Sequence, residues 1–208
     1  MKNWFHKYLP ITFDAKLFLI LVLGFIVATV VGTMSYALGY YLIGETQGHE
    51  VIINYRGAFC YDELPHSLLF SASGILTPII IGSIGLIVLF LRRKTFIGEK
   101  LLFGQWILIF IAMFLLRQSD NFAYAVLRYF VTGKFRCQNA DTYIAELLNL
   151  PIQSIQLTMV AIGLIVLSFI VFRFIPKNQR FTFLLAGIVG GIGGYYLWFY
   201  ELGKKILP

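Results

Sequence analysis

The chain has 208 residues, 59% of them hydrophobic and only 13% charged, with a mean hydropathy of +0.79. These values exclude an ordinary soluble domain and a disordered chain. The formal net charge of +7 does not mark a nucleic-acid surface, because the Lys and Arg residues stand at the ends of apolar runs and form no single patch.

Charge-free runs cover residues 17–44, 64–91, 101–116, 147–172 and 181–200. A spanning helix needs about 20 apolar residues to cross roughly 30 Å of hydrocarbon. Four runs reach that length; the third is short, and is expected to continue through Arg117 or to be anchored by it at the interface. No small-residue cleavage site follows the first run, which therefore reads as a first span and not as a removable signal. The fold class predicted is an all-α polytopic membrane protein, one integral membrane domain over residues 1–208, with about five to six transmembrane helices.

The first run ends in Tyr36, Tyr40 and Tyr41, about 30 Å along a helix that starts near Lys16, where an aromatic belt is expected. A polar loop follows over 45–63. Within it Val51-Ile52-Ile53-Asn54 is β-branched and bounded by turn formers, the pattern of a short strand or hairpin. The polar segment 118–149 reads as a cap or a half-helix, since irregular backbone at membrane depth needs cover from protein or a watery cavity. Arg117, Asp120 and Arg128 stand there as a candidate polar cluster of a cavity, with snorkelling to the headgroups as the alternative. In the last run Gly187/Gly191 and Gly190/Gly194 have the small-xxx-small spacing of closely packed helices, within one chain or between two.

Basic residues set the expected orientation. In a five-span topology Lys2, Lys7, Lys16, Arg92, Arg93, Lys94, Lys100, Arg173, Lys177 and Arg180 share the side of the N-terminus. They outnumber Arg56, Arg117, Arg128, Lys134, Arg136, Lys204 and Lys205 on the other side. The positive-inside rule then puts the N-terminus in the cytoplasm, in a multi-pass protein of a cell inner membrane. Cys60 and Cys137 fall on the same, outer side, where they could form a disulfide or remain two separate thiols. The absence of Cys-x-x-Cys argues against a disulfide oxidoreductase.

The stretch Gly32-Thr33-Met34-Ser35-Tyr36-Ala37-Leu38-Gly39-Tyr40-Tyr41-Leu42 resembles the metal-binding helix of the site-2 proteases, intramembrane zinc enzymes, without its chemistry. Ser71-Ala72-Ser73-Gly74-Ile75-Leu76-Thr77-Pro78 is similar to the small-residue helix that packs against it. The glycine-rich end from Gly190 to Trp198 resembles the last helix of small bacterial relatives. The family's His-Glu-x-x-His motif points two histidines at one zinc while the glutamate activates water. Tyr36 and Tyr40 stand at the histidine positions here and Ala37 at the glutamate position. A phenol with a pKa near 10 stays protonated at neutral pH and ligates zinc poorly, and Ala37 cannot accept a proton.

The resemblance thus implies no cofactor and a non-hydrolytic pseudoprotease that holds a transmembrane client or partner within the lipid bilayer. An active metallohydrolase would need zinc on another ligand set, for which His66 and Asp141 are the weak candidates; Asp141 falls where relatives carry an acidic residue. Its alternative role is to cap a helix beginning near Thr142. The third reading is a small transporter or lipid-binding protein. In the best-known bacterial members the motif helix ends toward the cytoplasm, whereas the basic residues here put Tyr40 outside; the orientation adopted follows the charges.

Overall fold

The computed structural model describes residues 10–60, 68–96, 98–117, 126, 129–130, 133 and 140–207. The architecture is helical with one small hairpin. Helix α1 (Ala15–Thr46) leads into strands β1 (Val51–Asn54) and β2 (Gly57–Cys60), then α2 (Leu68–Leu91) and α3 (Phe103–Ala112). After these come α4 (Ala140–Leu147), α5 (Ser154–Arg173) and α6 (Lys177–Tyr196). A π-helical turn (Leu197–Leu202) and a last helical turn (Gly203–Ile206) extend α6. Among the described residues four helices are long and apolar enough to cross a membrane: α1, α2, α5 and α6 with its extension. The third apolar run falls short of this. Its described part forms α3 and a 3₁₀ extension (Met113–Leu116), with Arg117 next in helical backbone.

Each boundary has a local cause. Asp14 starts α1 by accepting from the Leu17 amide at 3.0 Å, a carboxylate N-cap. Gly48, at φ 80°, ends it. The His49 amide returns to the Gly44 carbonyl at 3.0 Å, a closure that needs a residue in the left-handed region. Asn149 does the same for α4 at φ 53°, with Pro151 just beyond to prevent continuation. At 32 residues, α1 is about 48 Å long, more than the roughly 30 Å of a bilayer's hydrocarbon, and it supports the hairpin at its far end. The hairpin is antiparallel, with Val51 opposite Cys60 and Asn54 opposite Gly57, as the β-branched run predicts.

α1 is the central element, packed most extensively against α6 and α2, while α2 also packs on α3 and α4. Glycines permit the close approaches. A side chain at Gly39 would collide with the Ser73 carbonyl and the Thr77 hydroxyl of α2. One at Gly190 would come within 2.8 Å of the Val22 carbonyl, and one at Gly194 within 3.0 Å of Ile26 Cα. Gly82 and Gly85 let α2 lie against the backbone of Leu115 and Ala112. In lipid such backbone proximity replaces the hydrophobic drive that is missing between spans.

The two ends of the bundle are distinct. At one end Thr12 Oγ1 donates to the Asn178 carbonyl (2.6 Å), the Asp14 amide to Thr182 Oγ1 (3.1 Å) and the Leu101 amide to Gln179 Oε1 (3.4 Å). The start of α1, the loop before α3 and the start of α6 therefore meet there. Below them lies the apolar core, with Leu21, Phe25, Leu89, Trp106, Ile109, Phe174 and Phe183 among its members. At the other end the hairpin is tied to the end of the α6 extension. Trp198 Nε1 donates to the Tyr55 carbonyl at 2.8 Å, and the Tyr55 amide to the Leu207 carbonyl at 3.1 Å.

Candidate functional site

Tyr36 and Tyr40 lie one turn apart on α1, on the face turned to α2. They do not form an outward belt as their depth predicts; Tyr41, next along, is the exposed ring. The two hydroxyls are 3.1 Å apart and the rings meet edge to face, 5.1 Å between centroids. The Tyr40 hydroxyl also donates across a longer 3.4 Å to the Ser71 carbonyl of α2. A hydroxyl has one proton, so with Tyr40 donating to Ser71, Tyr36 donates to Tyr40. The Tyr40 ring fills the space left by Gly74 and packs 5.1 Å from the Phe70 ring. Ala37 is fully buried. This face of α1 is thus occupied by side chains that satisfy one another.

Asp141, in the first turn of α4, is fully buried. It comes close enough to Tyr36 and Tyr40 for its charge to act on both. The structure thereby brings together three of the positions singled out in sequence. Arg117 joins them: its guanidinium lies 5.6 Å from the centre of the Tyr36 ring, within cation–π range. Its stem crosses Gly32, where an added Cβ would meet Arg117 Cδ at 3.5 Å.

His66, Asp120, Arg128 and Cys137 lie outside the described residues. Cys60 ends β2, its backbone paired with Val51. Among the described residues no group of three His, Cys, Asp or Glu side chains converges. One carboxylate beside two phenols bonded to each other is a poor donor set for zinc, which takes thiolate, imidazole and carboxylate ligands. The residues at this place do not fit the metal.

The hydroxyls around the cluster are internally satisfied. Thr33 donates to Thr29, Ser35 to Gly32, Ser73 to Phe70 and Thr77 to Ser73, all to carbonyls at 2.6–2.9 Å. Such back-bonding is the usual way to keep Ser and Thr in an apolar span. Gln156 of α5 is 2% exposed, and its Nε2 has no hydrogen-bond partner among the described residues.

Beside the cluster a cavity of about 490 Å³ opens between α1, the end of α3, α5 and α6. Phe25, Thr29, Gly32, Phe114, Leu167 and Phe183 are among its walls, and Arg117 is its charged residue. It also divides the glycine stripe of α6. Gly190 and Gly194 pack on α1 and a Cβ at Gly187 would meet the Phe25 ring at 3.2 Å, whereas a Cβ at Gly191, on the cavity wall, would meet nothing within 4 Å. The spacing predicts a packing role for all four glycines; at Gly191 the neighbour is open space.

Sequence reasoning named Arg117 as a candidate cavity residue but missed the apolar walls, because they come from four separate segments and carry no motif. It also missed Gln156, although a lone amide at the start of an apolar run is a readable signal. Comparison with known protein families, with characterised proteins and with solved structures finds no match.

Proposed function

We propose that the protein is a multi-pass integral membrane protein that binds an apolar ligand within the bilayer and does not hydrolyse it. The observation that carries this reading is the pairing of a filled metal face with an adjoining hollow. Tyr36 and Tyr40 close the place where zinc and water would act, while the cavity beside them is apolar except for Thr29 and Arg117. Ligand sites of some hundreds of Å³ with an apolar wall and few polar groups are the ordinary form of small-molecule binding pockets. The site-2 protease resemblance supplies an origin: a cleft that once held a segment for cutting now holds a ligand.

The basic residues fit an orientation with the N-terminus in the cytoplasm. Lys16, Arg92, Arg93, Lys94, Lys100, Arg173 and Lys177 gather at the end where Thr12 meets Asn178. In an inner membrane that end faces inward.

A photoreactive residue replacing Leu184, on the cavity wall, tests the reading in intact membranes. A discrete adduct that disappears when Gly191→Leu fills the cavity is expected. Chelator-sensitive cleavage of transmembrane peptides by the purified protein, abolished by Asp141→Asn, would overturn it.

A further inference from the structure

Three properties of the cavity narrow its occupant. The first is size. One turn of α-helix, about 10 Å across and 5.4 Å high, takes up roughly 400 Å³, so a cavity of about 490 Å³ admits little more than a turn of a client helix. With a methylene taking about the space of one liquid water, roughly 30 Å³, it admits about 16 methylenes. The second is access. Ile188 of the lining is 61% exposed on the outside of an apolar helix, so the mouth faces hydrocarbon.

The third is depth. Counting from Lys16, Gly32 lies about 24 Å along α1 and Phe25 about 13 Å. In a hydrocarbon layer of roughly 30 Å, Arg117 against Gly32 stands near the far headgroup level and Phe25 near the middle. A lipid of that leaflet has this same arrangement, phosphate at the level of Arg117 and chain pointing toward Phe25 and Phe183. A guanidinium has five N–H donors in a planar fork, so it can serve a neighbour and a phosphate together, and phosphate is the anion that fork fits.

Resting on the non-hydrolytic reading above, we propose that this cavity binds one anionic phospholipid of the surrounding bilayer, an acyl chain lying against the wall formed by Phe25 and Phe183 and the phosphate on Arg117. The lipid enters sideways past Ile188. A residue larger than glycine at position 191 would occupy its chain site.

The test uses the full chain in nanodiscs of equimolar phosphatidylglycerol and phosphatidylcholine, with retained lipid counted by native mass spectrometry. One phosphatidylglycerol per chain is expected to survive delipidation. Arg117→Gln should lower the preference for phosphatidylglycerol about tenfold, the effect of losing one hydrogen bond to a charged group, and Arg117→Lys should restore most of it. Gly191→Leu should lose both lipids; Ile188→Trp, at the exposed mouth, gives the same readout if the glycine variant does not fold. Equal retention of the two lipids by wild type and Arg117→Gln would overturn the proposal. So would retention unchanged in Gly191→Leu, or displacement of the phospholipid by added palmitate. Peptide cleavage in the assay of the preceding section would refute the non-hydrolytic reading while leaving these lipid counts as measured, so the two failures are distinguishable.

Discussion

The half of the bundle next to the start of α1 and the half next to the hairpin are built from the same helices but different chemistry. In the first, Leu21, Phe25, Leu89, Trp106, Ile109 and Phe183 interlock, and the Trp106 and Phe183 rings stack 5.7 Å apart. In the second, Thr33, Ser35, Ser71, Ser73, Asp141 and Gln156 are buried instead, with Tyr36 and Tyr40 bonded at their centre. Apolar contact within a span gains little over contact with lipid, so close packing and internal hydrogen bonds decide stability there. A fully buried carboxylate, Asp141, among apolar helices is costly and marks a functional candidate. The first half reads as scaffold, reaching the cavity through Phe25 and Phe183, and the second as a polar cluster that adjoins the same cavity at Gly32 and Arg117.

That contrast can be broken most severely at the helix crossing both halves share. Gly39→Leu drives a side chain into the Ser73 carbonyl, and backbone has nowhere to yield. Folded protein should be lost, read as aggregation in fluorescence-detected size exclusion. Phe183→Ala strikes the scaffold half. Phe183 is 1% exposed and touches Trp106 and Phe25, so truncation should cost about 3–5 kcal/mol, measured by unfolding in detergent.

Tyr40→Phe strikes the other half and removes one hydroxyl that bridges Tyr36 and Ser71. The expected cost is about 1 kcal/mol, a small fall in melting temperature. A loss as large as that of Phe183→Ala would erase the distinction between the halves. The smallest effect should come from Gly191→Ala, whose Cβ enters open space, set against a clear destabilisation for Gly190→Ala, whose Cβ lies 2.6 Å from that of Phe25.

Much of the fold was legible because it follows from one-dimensional properties. The lengths of the apolar runs gave α1, α2, α5 and α6, and the β-branched run from Val51 gave the hairpin. The short third run gave a ten-residue helix with a 3₁₀ turn before Arg117. What could not be read depends on which way a helix is turned. Tyr36, Tyr40 and Tyr41 share one depth, and only the position of α2, set by Gly39 and Gly74, decides that two face inward and one outward. Gly190 and Gly191 are adjacent and alike in sequence, yet one meets α1 and the other a void. Arg117 and Asp141 were candidates for separate reasons; their common approach to Tyr36 is a tertiary fact with no local pattern.

The central claim is binding without hydrolysis, and the metal content of the purified protein tests it most directly. After equilibration with zinc and passage through a desalting column, elemental analysis should find far less than one zinc per chain. About one zinc per chain, retained through the column and lost in Asp141→Asn, would contradict the claim and favour a metallohydrolase whose ligand set includes Asp141.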